Sequence, residues 1–416
     1  MNYYEEHIIK LENRIKKIEE NPDPTKPKSN KFRYGLDLQL AKEQLEGWRQ
    51  GRPFSDGGSL LAGCLTRAMG FVPIGSVEPA FQTREPQKYL NKARDMGLPV
   101  DQSCDMTMMP FAMMECGDLP MEDLTICDQH ACTPMMLRGI HVAHTAKVLT
   151  YHIDLGFAAD EANLKYVTDQ LRDFITFAEN KFPGVIRYDE EKLIESQKNE
   201  EAIARYNEEI YEMIKKKPTP IHGKDLMPRD AARWGATELD VEYAKTRRDE
   251  VAERAANGQA AVPGEKLRVL WTGVTAPIFM DPYKVLAKWG IAVFRGVRPP
   301  GDSNYTGVPF WGDRELSPLE KVAVRWVGNT SARNVERTLW LAKDLKVDGI
   351  VNYNMLGCTT ALGYKKWLED EAEKQLGIPT FQLEGKQQDA NYASEETITR
   401  HLDEFAQLLL NRNGLI

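Results

Sequence analysis

Two segments share a pattern that narrows the fold before anything else does. In EDLTICDQHAC (122–132) and DGIVNYNMLGC (348–358), a short buried-strand core runs into a turn or loop that carries cysteine. Helix-forming sequence follows each, PMMLRGIHVAHTA in the first case and GYKKWLEDEAEKQLG (363–377) in the second. Another strand comes next, AKVLTYHID (146–154) and IPTFQLEG (378–385) respectively. Strand, turn, helix, strand is the rhythm of a parallel α/β unit. The run KLRVLWTGV (266–274), the helix DPYKVLAKWG closed by Gly290, and IAVFRG (291–296) begin such a unit in the C-terminal half.

The remaining periodicities are helical. Ile8, Leu11, Ile15 and Ile18 recur at three- and four-residue steps, and NPDPTKPKSN (21–30) breaks that helix. A second helix is expected over 35–50. Leu164, Val167, Leu171, Phe174 and Phe177 mark a long helix, and a Glu/Lys-rich one follows over 189–216. A helix is also expected over 331–346 and another over 394–411. The fold class predicted is α/β, with two Rossmann-like or flavodoxin-like parallel-sheet domains, a helical N-terminal segment and a helical insertion. The expected division is 1–50 for the N-terminal helices, 51–158 for a first α/β domain with most of the cysteines, 159–264 for a helical region and linker, and 265–416 for a second α/β domain.

Composition narrows the function. With 54 Lys+Arg against 62 Asp+Glu, the net charge is −8, and no basic block is threaded with aromatics, so nucleic acid is not an expected partner. The sequence has no run of apolar residues long enough to cross a bilayer, and the charged N-terminus does not read as a signal peptide, so the expectation is a cytoplasmic protein without a membrane partner. Neither a G-x-x-x-x-G-K-[ST] loop nor a G-x-G-x-x-G after a strand is found. Trp271-Thr272-Gly273, at a strand end, is a weak candidate for a ligand border.

Five of the six cysteines, Cys64, Cys104, Cys116, Cys127 and Cys132, fall within one stretch, and Cys358 stands apart. In a reducing compartment such a cluster points to metal ligation or catalysis rather than disulfides. Ligands in α/β sheets bind outside the carboxyl ends of strands, where Cys127 and Cys358 are expected, and soft thiolates there suit iron–sulfur ligation. Other readings stay open at this point. Any one cysteine can be a small core residue, and Cys64 in LLAGCLTRAMG fits that best. Zinc is weakened by the lack of paired short spacings. A nucleophilic thiol would need a base, for which His130 is the nearest, and His130 is also the candidate proton donor; His141 and His144 read as structural. Eight of the fifteen methionines lie in 106–136, which suits core filling and a dry wall around a metal centre.

DQSCDMTM, LTICDQHAC and VDGIVNYNMLGC followed by KKWLEDEAEKQLGIPTFQLEG resemble the 2-hydroxyacyl-CoA dehydratase and benzoyl-CoA reductase superfamily over residues 50–411 or so. The resemblance implies two α/β domains with an iron–sulfur cluster between them, a 4Fe–4S cluster on the matching Cys104, Cys127 and Cys358, and a separate ATP-dependent iron–sulfur reductase, or activator, as partner. Position 64 departs from the pattern: cysteine stands where the superfamily's acidic residue is expected. Six cysteines are similar to the set in the double-cubane cluster branch, which implies a double-cubane (8Fe–9S) cluster on Cys64, Cys104, Cys116, Cys127, Cys132 and Cys358, a homodimer, and reduction of small acetylene-like or nitrogen-containing molecules. The alternatives are a dehydratase or benzoyl-CoA reductase subunit with one 4Fe–4S cluster, and a non-enzymatic electron-storage protein.

Overall fold

The structure, a computed structural model, describes residues 2–416 except 23–25, 57–61, 76–82, 84, 129–132, 157, 228, 230, 299–309, 313, 328–330 and 359–362. Two four-stranded sheets form the frame, and every strand pairing in them is parallel. The first contains β1 (Phe54–Asp56), β2 (Val72–Pro73), β3 (Leu124–Asp128) and β4 (Leu149–Ile153), in the order β2-β1-β3-β4. The second contains β5 (Leu267–Gly273), β6 (Ile291–Arg295), β7 (Gly349–Met355) and β8 (Thr380–Gly385), in the order β6-β5-β7-β8. The two orders are the same, so the halves share a topology. The order also places a switch point between the first and third strands of each sheet, where open α/β sheets take ligands.

Strands β3, β5, β6 and β7 are mainly apolar because both faces of a parallel sheet are covered there, whereas β4 and β8 are partly exposed. Every residue of β6 and of β7 is buried. Around the sheets lie α1 (Tyr3–Glu20), α2 (Ser29–Arg49), α3 (Gly63–Ala68), α4 (Pro86–Asp95), α5 (Asp105–Glu115), α6 (Thr133–Thr145) and α7 (Glu161–Lys181). The chain continues through α8 (Glu190–Ile214), α9 (Glu238–Ala256), α10 (Pro282–Ala287), α11 (Pro318–Val327), α12 (Ser331–Asp344), α13 (Lys365–Leu376) and α14 (Glu395–Arg412). None of the described helices is long and apolar enough to cross a membrane. Helix α2 starts at Ser29, six residues before the sequence-based expectation; the Glu250 carboxylate accepts from the Lys28 and Ser29 backbone N–H at 2.7 and 2.9 Å and caps it from a distant part of the chain.

The two halves exchange helices. On one face of the second sheet, Val269, Val293 and Val351 pack with Phe405 and Leu409 of α14, and with Leu90 of α4 and Met108 and Met109 of α5. Helices α4 and α5 precede β3 in the chain, yet they join the core over β5 and β7. In the other direction, Val322, Ala323 and Trp326 of α11 pack with Leu124 and Ile126 of the first sheet and with Leu164, Leu171 and Phe174 of α7. The remaining face of the second sheet, with Leu270, Phe294 and Ile350, is covered by Ile210 and Ile214 of α8, Val251 of α9 and Leu345.

Candidate functional site

The helix exchange sets Cys104 beside Cys358. Cys104 occupies the N-cap of α5 in an extended conformation, and its carbonyl accepts from the Thr107 hydroxyl at 3.0 Å. Cys358 lies in the turn after β7, where its N–H donates to the Met355 carbonyl at 3.0 Å. Between them, Gly357 meets Ser103. Gly357 has φ +87°, and a Cβ there would lie 2.3 Å from the Ser103 carbonyl carbon, so glycine is required on both counts. The two thiols are close enough that each charge disfavours the other: the Cys104 thiol is pushed up to about 12, first by burial, then by Asp105, with a further contribution from Cys358.

A buried clamp holds this juncture. The Lys386 ammonium donates to the carbonyls of Val100 at 2.9 Å and Ser103 at 2.6 Å. The Asp105 carboxylate accepts from the backbone N–H of Gln388 at 2.7 Å and of Asp389 at 3.2 Å. Tyr353 donates its hydroxyl to the Lys386 carbonyl at 2.9 Å. The start of α5 is thereby tied in both directions to the segment after β8. Burial lowers the Lys386 pKa and raises that of Asp105. Met106, Met108, Met109, Met113 and Met114 are buried along α5 and supply the core filling expected of them.

Cys127 is inside β3 rather than just past a strand, and its sulfur rests against Gly139 of α6. Beside it, Arg138 is fully buried and bonds Glu122 at 2.5 Å and Asp56 at 3.4 Å. Sequence reasoning missed this triad, although Arg138 stands as the one charged side chain apart from histidine in PMMLRGIHVAHTA. Cys64 is buried in α3 within the core of the first sheet, where the Arg325 guanidinium donates to its sulfur at 3.2 Å and to Glu200 at 2.5 Å. Burial pushes the Cys64 thiol up to about 11, with Arg325 acting in the opposite direction. Cys116 is exposed at the C-cap of α5, and the rise of the helix sets it about 18 Å from Cys104. The expectation that Cys116 shares a pocket with Cys104 is therefore corrected by the geometry of one helix. Cys132 and His130 lie outside the described residues.

Among the described residues, no group of three or more His, Cys, Asp or Glu side chains is arranged to hold a metal ion. The paired Cys104 and Cys358 nevertheless fit part of an iron–sulfur site. They are soft donors from different parts of the chain, set against an apolar wall, and burial makes a bare thiolate there costly in the absence of a metal's charge. Trp271-Thr272-Gly273, at the end of β5, borders a cavity of about 390 Å³.

Residues 64–409 match the profile of the family described as 2-hydroxyglutaryl-CoA dehydratase, D-component. The chain is similar to the (R)-phenyllactyl-CoA dehydratase alpha subunit of Clostridium sporogenes, 25% identical over 322 residues, covering 74% of this chain and 77% of that one. It is similar to the (R)-2-hydroxyglutaryl-CoA dehydratase subunit alpha of Acidaminococcus fermentans, 25% identical over 308 residues, covering 69% of this chain and 61% of the relative. The lactoyl-CoA dehydratase subunit alpha of Anaerotignum propionicum is also 25% identical, over 286 residues and 66% of each chain.

Proposed function

Because the chain belongs to the 2-hydroxyglutaryl-CoA dehydratase D-component family, we propose that it is an iron–sulfur redox enzyme that takes low-potential electrons from a separate ATP-hydrolysing activator and delivers them to a small molecule. The observation that carries the reading is the pairing of Cys104 with Cys358 under the Lys386–Asp105 clamp. These two thiols, with Cys127 by its match to the superfamily motif, would hold the cluster. A bound cluster would supply single-electron transfer at low potential. The chain's own contributions are positional: Lys386 and Asp105 fix the start of α5, and the methionines of α5 keep water from the thiols. Reduction rather than dehydration is favoured by position 64, where a thiol held by Arg325 replaces the acid a dehydratase is expected to use.

A second reading, a 2-hydroxyacyl-CoA dehydratase subunit, is favoured by the activities in the relatives' names. The eight-iron, double-cubane form of the first reading requires Cys64 to leave Arg325 and join Cys104 and Cys358. Iron and sulfide content after purification without oxygen tests all of this. About four irons per chain fits one 4Fe–4S cluster and about eight fits a double cubane. Cys104→Ser or Cys358→Ser is expected to abolish iron binding, and Cys116→Ser to leave it intact. Cys64→Ser removes half the iron only in the double-cubane form. A chain that retains no iron after anaerobic reconstitution would overturn the proposal.

A further inference from the structure

The cavity at the carboxyl ends of β5 and β6 has an electrostatic peculiarity. Five guanidiniums line it, from Arg229, Arg247, Arg295, Arg298 and Arg337, against two carboxylates, Glu200 and Glu208. One carboxylate is already engaged, since Glu200 is held by Arg325. One of the guanidiniums is also engaged, since Arg229 pairs with Asp240 and with Asp37.

Arg247 and Arg295 differ from the rest. They are 4% and 8% exposed, and among the described residues neither has a carboxylate within ion-pair distance. The Arg247 guanidinium donates to neutral acceptors only: the Asn207 amide oxygen at 3.2 Å, the Asp225 carbonyl at 3.1 Å and the Leu226 carbonyl. The Arg295 guanidinium contacts the Met227 sulfur at 2.6 Å and lies beside the Tyr283 hydroxyl, both neutral. Two buried guanidiniums with no carboxylate in direct contact are costly unless something negative joins them. They face a space of about 390 Å³. That falls within the range of roughly 300–1,000 Å³ typical of small-molecule sites. Ile203, Ile210 and Leu341 give it apolar walls. Its floor is the end of β5, next to the switch point of the sheet.

We propose that this cavity binds a small organic anion, with Arg247 and Arg295 gripping a carboxylate or phosphate group and the aliphatic walls receiving its apolar body. Guanidinium forks suit either oxyanion. Arg298, exposed at the end of the same strand, adds attraction at the entrance. Thr272 and Arg337 on its wall both act on Tyr364, and Tyr364 is within electrostatic reach of Cys358. The inference stands on the cavity alone and does not need the cluster.

Calorimetric titration of the full chain, purified without oxygen and with iron measured on the same sample, tests it. One arm uses inorganic phosphate and pyrophosphate, the other butyrate and glutarate. Saturable binding tighter than about 1 mM in either arm is expected, and the arm that binds identifies the oxyanion. Arg295→Met is expected to weaken that binding by about tenfold or more, with Arg295→Lys intermediate. Arg247 also ties down the 225–226 turn, so Arg295 carries the test and circular dichroism confirms that its variants fold. Without ligand, Arg295→Met should melt no lower than the parent, because it removes a lone buried charge. No binding in either arm up to about 10 mM, or binding unchanged in Arg295→Met, would overturn the proposal whatever the iron content.

Discussion

Gly139 gives a substitution whose sign is opposite to what helix propensity alone predicts. It lies inside α6, where replacing glycine by alanine ordinarily gains about 1 kcal/mol. Here a Cβ would stand 1.9 Å from the Cys127 sulfur, 3.1 Å from its Cβ and 3.4 Å from Thr150 Cγ2. Non-bonded contacts settle near 3.5–4.0 Å, so the sulfur would have to retreat by about 2 Å. Turning Cys127 about χ1 relieves the first contact but not the second, and the residue is buried, so the displaced thiol meets packed neighbours. Overpacking of this kind costs about 1–3 kcal/mol. Against the gain in propensity, Gly139→Ala should be destabilising by about 1 kcal/mol, and by up to about 2 kcal/mol. Gly35, in α2, is the control, because a Cβ there meets nothing within 4 Å. Gly35→Ala should be stabilising by about 0.5–1 kcal/mol. Urea unfolding followed by far-UV circular dichroism measures both midpoints. A Gly139→Ala midpoint equal to or above the parent's would refute the packing of Cys127 against α6.

Three other expectations follow from buried charge and capping. Arg325→Met leaves Glu200 without its guanidinium and should destabilise the chain by about 3–5 kcal/mol, while adding Glu200→Leu should recover much of that; denaturant midpoints of the single and double variants check it. Lys386→Met removes the bonds to Val100 and Ser103, so hydrogen exchange at Thr107 and Met108 should speed up while the amides of α14 stay unchanged; equal protection at the start of α5 would argue against the clamp. Burial raises the Glu320 pKa, but Arg314 and the Ser317 N–H and hydroxyl outweigh this and hold it at about 2. A depressed carboxyl stabilises the fold above its unfolded pKa and ceases to do so as pH falls through the folded one. Glu320→Gln should therefore cost about 1 kcal/mol at neutral pH, a difference that fades between about pH 4.5 and pH 2 in acid titrations of stability.

The sheets were legible largely because a strand covered on both faces is mainly apolar: β3, β5, β6 and β7 stand where the sequence put them, to within a few residues, as do the more exposed β4 and β8. A strand of three residues such as β1 is too short for any period to register. Helix α9 leaves no apolar stripe in the sequence because its buried face is made of Asp240, Tyr243, Ala244, Arg247 and Val251, which are held as much by polar contacts as by hydrophobicity. Helix α5 was hidden by Pro110 and by apolar residues on every side, which leave no stripe to detect. Helix α11 did carry a signal, the Ser317-x-x-Glu320 cap, that went unused. At the site, the motifs singled out Cys104 and Cys358, but their meeting depends on Gly357 against Ser103, a contact between residues over 250 positions apart. The unpaired arginines come from α9 and the end of β6, and no local pattern links them.

The traffic of α4 and α5 in one direction and α11 in the other means that neither sheet owns all of its cover. A protease cut in the Gly258–Gly264 loop would yield two fragments, each with a bare apolar face and stranded helices meant for the other. Such fragments should complement one another in a mixture and precipitate apart. The same interlock opposes any hinge that would swing the halves open, so whatever enters between them has to come through loops rather than through a parting of the sheets.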